Sequence, residues 1–307
     1  MFVIFFTAIM IVSVLLVSHC FYGGGIQSEP LKITSSIGVC TRVRDEQHIL
    51  TEWLEHYLVN LRFSRAIIYD DYSNPPVLNT IGKFTNDPRV VVVSSPTKNQ
   101  AEAYTDGLSR CIDLDWVLLC DADEFVWTDG RDIREHMATT FPPEVGTVLV
   151  NWLVFGTSGL LKLDKRRPIR EQFVKREELN CYWNQFVKSF VRPTCPDLRV
   201  WVHITSSNQR QMATAGGEIV SQKVKDETGN TGPCIEGERV VGLDHQTSPV
   251  LMVHYMTLDF ESMAKKSIRN KALADIGMKY TKHWYEHTMK DSVVDRRMHK
   301  YLRNKKN

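Results

Sequence analysis

The chain lacks most of the short motifs that assign a chemistry at sight. None of its seven cysteines forms a Cys-x-x-Cys pair, so a zinc site of the ribbon or finger kind does not organise it. Gly-x-Gly-x-x-Gly is absent, as is a Gly-Lys-Ser/Thr phosphate loop, which removes dinucleotide binding and P-loop ATP binding as natural readings. An excess of one charge is missing too: 38 Lys and Arg against 36 Asp and Glu leave a net charge of +2. Such a balance argues against nucleic acid as partner, and the one basic run, Arg303 to Lys306, reads as a solvated end. No Asn-x-Ser/Thr acceptor occurs, which counts weakly against long residence in a glycosylating compartment.

What is present begins with an apolar stretch, Met1 to Val17, broken only by Thr7 and Ser13. It is just long enough to cross a bilayer. No Lys or Arg precedes it and its apolar core exceeds that of most cleaved signal peptides, the rival reading, so an N-terminal transmembrane anchor is expected over residues 1–22. The flanking charges do not set its orientation. Tyr22 to Pro30, with Gly23, Gly24 and Gly25 together, forms a stem over 23–32. Six cysteines lie beyond the anchor. They are compatible with lumenal disulfides, Cys181 with Cys195 foremost, or with buried thiols at Cys40, Cys111 and Cys120.

From Ile33 the pattern alternates. A strand is expected over Ile33 to Val43, then a helix over Asp45 to Leu61 whose stripe is Ile49, Trp53, Tyr57 and Leu61. Ala66 to Tyr69 is a short buried strand ending in Asp70 and Asp71, followed by the turn-formers Tyr72-Ser73-Asn74-Pro75-Pro76. Val90 to Ser94 is a third strand, Gln100 to Asp113 a helix, and Trp116 to Cys120 a fourth strand. Such alternation predicts an α/β domain with a mainly parallel sheet flanked by helices, placed at residues 33–275. Met263 to Lys271 and Ile276 to Tyr285 look helical, with a basic face at Lys265, Lys266, Arg269 and Lys271, and residues 276–307 read as a helical tail that frays.

The centre of the pattern is Trp116 to Trp127, where an apolar run stops at Asp121, Asp123 and Glu124. Clustered carboxylates at the carboxyl end of a buried strand are costly unless a cation compensates them, and in open α/β sheets that end is where ligands sit. If strand alternation continues, Asp121 and Asp123 point to one side and converge on one ion. The parallel sheet places Arg42, Arg44, Asp70, Asp71, Asp121 and Asp123 along one edge, which suits a ligand with a ribose, phosphates and a metal. The plainer alternative for the acids is an acidic turn. For His254, after Val250-Leu251-Met252-Val253, it is a hydrogen-bonded core histidine.

These residues resemble a known family. Val43-Arg44-Asp45-Glu46, Glu52 to Tyr57, Ile68 to Ser73, Ala103 to Asp106, Asp121-Ala122-Asp123-Glu124-Phe125, Trp152 to Gly159, Val187 to Pro193, Val202-His203 and His254-Tyr255 follow in an order similar to glycosyltransferase family 92, enzymes of the GT-A fold. The blocks cover nearly all of residues 36 to 270. The chain departs from the pattern at Gly107, Thr157 and Met263, which bears on the acceptor side more than on the fold.

The resemblance implies a GT-A type, Rossmann-like mixed sheet and metal-dependent, inverting transfer of a hexose, galactose foremost, from a UDP-sugar to a glycan hydroxyl. Mn2+ or Mg2+ would be held by Asp121, Asp123 and His254. Arg44, Asp70, Asp71 and Asp121 would line the nucleotide pocket, with Asp71 alternatively capping its turn, and Lys188 and Lys266 would face the diphosphate. Glu171 in Arg170-Glu171-Gln172-Phe173 matches a family position and is the candidate base, with Glu218 a second; both also read as surface carboxylates. Phe155 to Gly159 would approach the donor or simply turn, and Trp183 and Trp201 would stack on sugars or fill the core. A single-pass protein of the Golgi or another secretory membrane is expected, with no nucleic acid as partner. The alternative function is a carbohydrate-binding or scaffold protein of the same fold without turnover; a nucleotidyltransferase would need a phosphate loop that is absent.

Overall fold

Strand β1 (Ile37–Val43) forms because Ile37, Val39, Cys40 and Val43 are all removed from water, with cover on both faces. The computed structural model that shows this describes residues 33–94, 97, 99–221, 233–242, 245–262, 264 and 292–302. The expected anchor (1–22), the stem (23–32), Met263, Lys266 and the helix expected at Ile276 to Tyr285 lie outside the described residues. Among the described residues no helix is long and apolar enough to cross a membrane.

After β1 come helix α1 (Gln47–Leu54) and strand β2 (Arg65–Asp70), then β3 (Val90–Val93), α2 (Gln100–Ser109), β4 (Trp116–Leu119), β5 (Glu124–Thr128) and α3 (Ile133–Thr140). The chain continues through β6 (Val145–Val154), α4 (Ile169–Gln172), β7 (Lys175–Arg176), β8 (Val187–Val191), β9 (Arg199–Val200), β10 (Thr205–Ser206) and β11 (Gln211–Thr214). Strands β12 (Cys234–Glu236), β13 (Arg239–Val241), β14 (Val250–His254) and β15 (Val293–Val294) complete it. The main sheet runs β3-β2-β1-β4-β8-β6-β14-β5, with β11 also on β6.

Direction decides what this sheet brings together. Strands β1, β2, β3 and β4 are mutually parallel. Strand β8 reverses between β4 and β6, and β5 reverses beside β14. The carboxyl ends of β1, β2, β4, β6 and β14 therefore share one rim with the amino ends of β5 and β8. In the antiparallel pair Glu124 lies directly opposite His254, and on the other flank His254 is level with Val154.

Helix α2 begins at Asn99, whose side chain caps the Glu102 amide at 2.9 Å, and it stops at Ser109, short of the expected Asp113. It lies tightly on β1, because a Cβ at Gly107 would come 2.4 Å from Cys40 Sγ. Glycine there is a packing requirement.

The first expected helix divides in two. After Leu54 the backbone winds wider, as a π-helix over Glu55–Asn60. His56 and Tyr57 sit on this turn and hold β5: Tyr57 OH donates to Glu124 O at 3.0 Å, and His56 Nε2 bonds Val126 O at 2.8 Å. Behind them Arg170, 1% exposed, donates to His56 Nδ1 at 2.9 Å and to Glu52 Oε1 at 2.6 Å. This buried network ties α1, β5 and α4 together.

Two expectations are corrected. Residues 292–302 do not fray: β15 pairs with β7, Arg297–Tyr301 forms a short 3-10 helix, Asp295 bonds Arg176 at 2.6 Å, and Tyr301 OH accepts the Thr128 amide at 3.1 Å. Burial of Met298 and the edge contact of Tyr301 with His56 hold them in place. Nor do Cys181 and Cys195 pair, since no disulfide joins the six described cysteines. Cys195 is buried where a Cβ on Gly146 would touch its sulfur, while Cys181 is half-buried at the start of the turn Tyr182–Gln185.

Burial, then the neighbouring Arg170 charge, holds the His56 imidazole well below its usual 6.5. Above pH 6.5 both folded and unfolded states are neutral here. Below it the unfolded chain binds a proton that the folded chain refuses, so stability falls with pH at up to about 1.4 kcal/mol per unit. Urea midpoints should decline from pH 7.5 to 5, and His56→Gln should flatten that decline while lowering stability at pH 7.5; an unchanged slope would remove His56 as its source.

Candidate active site

The chain leaves β4 at Leu119, and Asp121 to Asp123 form a turn before β5 begins. Strand alternation does not extend through a turn, and the two aspartates take different partners. Asp121 Oδ2 receives Lys188 Nζ at 2.9 Å, while its Oδ1 receives Gln100 Nε2 and lies 3.4 Å from Tyr104 OH. Asp123 Oδ1 lies 3.5 Å from His254 Nε2. Of the expected ligands, Asp123 contacts His254 and Asp121 pairs with Lys188, while Asp121 still feels the charges of Asp123 and His254.

Glu124 stands between these pairs. Its Oε2 accepts the Asp121 amide at 2.8 Å and lies 3.6 Å from Lys188 Nζ, and its Oε1 faces His254 Nδ1 at 3.7 Å. Glu124 and Lys188 are completely buried, Asp123 and His254 nearly so. Burial pushes the Glu124 carboxyl up to about 7 against the pull of Lys188. Burial also acts to raise Asp121, but Lys188 prevails and that carboxyl titrates below its ordinary value. Lys188 itself is raised, the acids outweighing its desolvation. Nearby His203 is pushed down to about 4 by burial and then by Lys188.

The chemistry of the donor set suits a hard dication held by two protein ligands. A carboxylate oxygen and an imidazole nitrogen, 3.5 Å apart, face one rim, and such a cation completes its shell with water and phosphate oxygens. Behind the pair, buried Glu124 Oε1 and His254 Nδ1 have no hydrogen-bond partner among the described residues. Among the described residues no group of three or more His, Cys, Asp and Glu side chains stands ready to hold a metal ion.

Other expected residues divide. Lys188 belongs to the cluster, fully buried, and also reaches Val202 O at 3.3 Å. Asp71 pairs with Arg42 at 2.8 Å and with half-exposed Arg44 at 3.9 Å, at the end of β1. Asp70 is corrected: its oxygens accept the Ser73 and Val77 amides, both at 2.9 Å, so it, not Asp71, caps the turn. Glu171 is corrected as well. It is exposed and pairs with Arg167 at 3.2 Å, and no hydrogen bond or ion pair among the described residues joins it to the cluster. Glu218 is exposed on a separate polar cleft with Thr214, His245 and Ser248. The Phe155 to Gly159 loop is a turn held on β7, where Ser158 Oγ accepts the Val174 and Lys175 amides at 2.9 Å and Gly159 takes a φ of 80°. Lys266 lies outside the described residues.

Several residues here were not expected. Gln100 and Tyr104 reach Asp121 from α2, and buried Glu177 lies beside the rim, its amide 3.4 Å from Val154 O. Nothing local marks them, since each meets the site only through the fold. Aromatic rings wall the other side: Trp152 lies 4.3 Å from the His254 ring, Phe186 stacks on Trp152 at 5.3 Å and Trp183 on Phe186 at 5.6 Å. Tyr182 and Trp201 project outward, 53% and 64% exposed.

Compared with models of protein families and with curated proteins, the chain matches none. Among solved structures it is similar to the mannosyltransferase PcManGT from Pyrobaculum calidifontis in complex with GDP-Man and Mn2+, at 17% identity over 40% of this chain and 39% of that one, with a TM-score of 0.31. S. aureus TarS is similar at 15% identity over 52% and 47%, with a TM-score of 0.33. GalNAc-T7 with UDP, GalNAc and Mn2+ is similar at 12% identity over 40% and 24%, with a TM-score of 0.32. The chain spans less than half the length of each of these proteins.

Replacing Lys188 by Met keeps volume but strands the buried Glu124 carboxylate and leaves half-buried Asp121 without its cation. Loss of one partner of a buried ion pair costs about 3–5 kcal/mol. Urea unfolding of Lys188→Met at pH 7.5 should show a loss of that size; a loss below about 1 kcal/mol would mean the acids do not depend on it.

Proposed function

We propose that the chain is a metal-dependent glycosyltransferase of GT-A type, moving a hexose, galactose foremost, from a UDP-sugar to a glycan hydroxyl with inversion. The observation that carries this reading is the nearly buried Asp123–His254 pair on the strand-end rim, flanked by Lys188 with Asp121 on one side and by aromatic rings on the other. Asp123 and His254 would hold Mn2+ or Mg2+, which when bound neutralises charge on a leaving diphosphate. Lys188 adds a fixed positive charge beside the same rim. Asp121, the least buried of the acids, accepts a ribose hydroxyl, and Arg42 and Arg44, set by Asp71, border the nucleotide.

An inverting transfer needs a carboxylate that takes the acceptor proton. In this reading Glu177, whose backbone meets the end of β6, takes that role in place of surface Glu171. Exposed Tyr182 and Trp201 offer flat apolar faces to a sugar ring. In this reading residues 1–22 tether the domain at 33–275 to a secretory-pathway membrane through the stem.

The full chain, purified in mild detergent, is tested with a panel of UDP-sugars and Mn2+. Slow donor hydrolysis is expected, dependent on Mn2+ and reduced at least about 100-fold in Asp123→Ala. Absence of both turnover and Mn2+-dependent nucleotide binding in the folded protein would overturn the reading and leave a binding protein in its place.

A further inference from the structure

Glu124 and His254 are directly opposed across the β5–β14 pair, and that register fixes their side chains against each other. Glu124 Oε2 is already occupied, by the Asp121 amide at 2.8 Å. Its Oε1 has no hydrogen-bond partner among the described residues, and neither has His254 Nδ1; the two are 3.7 Å apart and shielded from water. A buried polar atom left unpaired costs about 1–3 kcal/mol, and an approach of less than about 1 Å would satisfy both at ordinary hydrogen-bond length. On its other edge the same ring presents Nε2 to Asp123 Oδ1 at 3.5 Å. Trp152, 4.3 Å away, packs against the ring.

We infer that Glu124 is the positioning residue of His254: its Oε1 accepts the Nδ1 hydrogen and so leaves the Nε2 lone pair free for the cation that His254 and Asp123 would hold. A neutral imidazole carries a single N–H, so a bond at Nδ1 determines which nitrogen can ligate. The inference rests on the proposed metal reading and adds to it the group that sets the ligand's tautomer. Because the other Glu124 oxygen holds the Asp121 amide, one carboxylate aligns both the aspartate turn and the histidine.

The geometry also dictates what Glu124→Gln does. The Asp121 amide is a donor, so the new amide oxygen must stay on it. The new NH2 group then faces His254 Nδ1, which must become an acceptor, and the ring hydrogen moves to Nε2.

The test uses the full chain labelled with 15N-histidine, at pH 8.5 and free of metal, with His254→Asn identifying the signal. The wild-type ring is expected to be protonated on Nδ1; protonation on Nε2 would overturn the inference without recourse to any variant. In Glu124→Gln the ring should switch to the Nε2-protonated form, and Mn2+ affinity, followed by the electron paramagnetic resonance of free Mn2+, should fall roughly 10–100-fold. An unchanged tautomer with unchanged affinity would likewise overturn it. If His254→Asn leaves Mn2+ binding intact, it is the metal reading that fails, and the tautomer result stands apart from it.

Discussion

The rim of this sheet depends on one buried ammonium group. Asp121, Asp123 and Glu124 bring three carboxylates together, and Lys188, fully buried, supplies a single positive charge within 2.9 Å of one of them and 3.6 Å of another. Charges so enclosed are tolerated only when paired and hydrogen-bonded. With all three acids ionised, three negative charges and one positive leave two uncompensated, and the upward shift of Glu124, driven by burial, relieves part of that excess. A dication would restore neutrality. That electrostatic demand agrees with the ligand chemistry proposed for Asp123 and His254.

The surrounding fold devotes much of its polar chemistry to holding β5 still. The π-helical turn after α1 places His56 and Tyr57 against the backbone of β5, and the Glu52–Arg170 pair closes the network from behind. These groups touch no acid of the cluster through hydrogen bonds between side chains. They fix the backbone from which Glu124 projects, as a rigid support must if side chains are to hold a preset spacing.

What could be read in the sequence was what is local. The apolar runs that became β1, β2, β3 and β4 were legible from composition, and the acids at the end of β4 were legible from position alone. His254 was reached through a resemblance, since nothing near it distinguishes a ligand from a core histidine. Its partner Glu124 is set by a register between strands more than a hundred residues apart, and no local pattern encodes that. The different partners of Asp121 and Asp123 were not legible because a turn stands where a strand was assumed. Asp70, not Asp71, caps the turn for a similar reason: which of two adjacent carboxylates does so is decided by where the Ser73 and Val77 amides fall.

Gly107 acts well beyond its own position. Helix α2 is a stiff rod with Gln100 at its first residue, and the seven residues from there to Gly107 span about 10 Å. At one end the rod is hydrogen-bonded to Asp121; further along it rests on Cys40 with no room for even a methyl group. The glycine thus acts as a fulcrum. A side chain there would lift the helix from β1 and swing its start away from the acids, so a residue with no functional group of its own governs the alignment of one that holds Asp121.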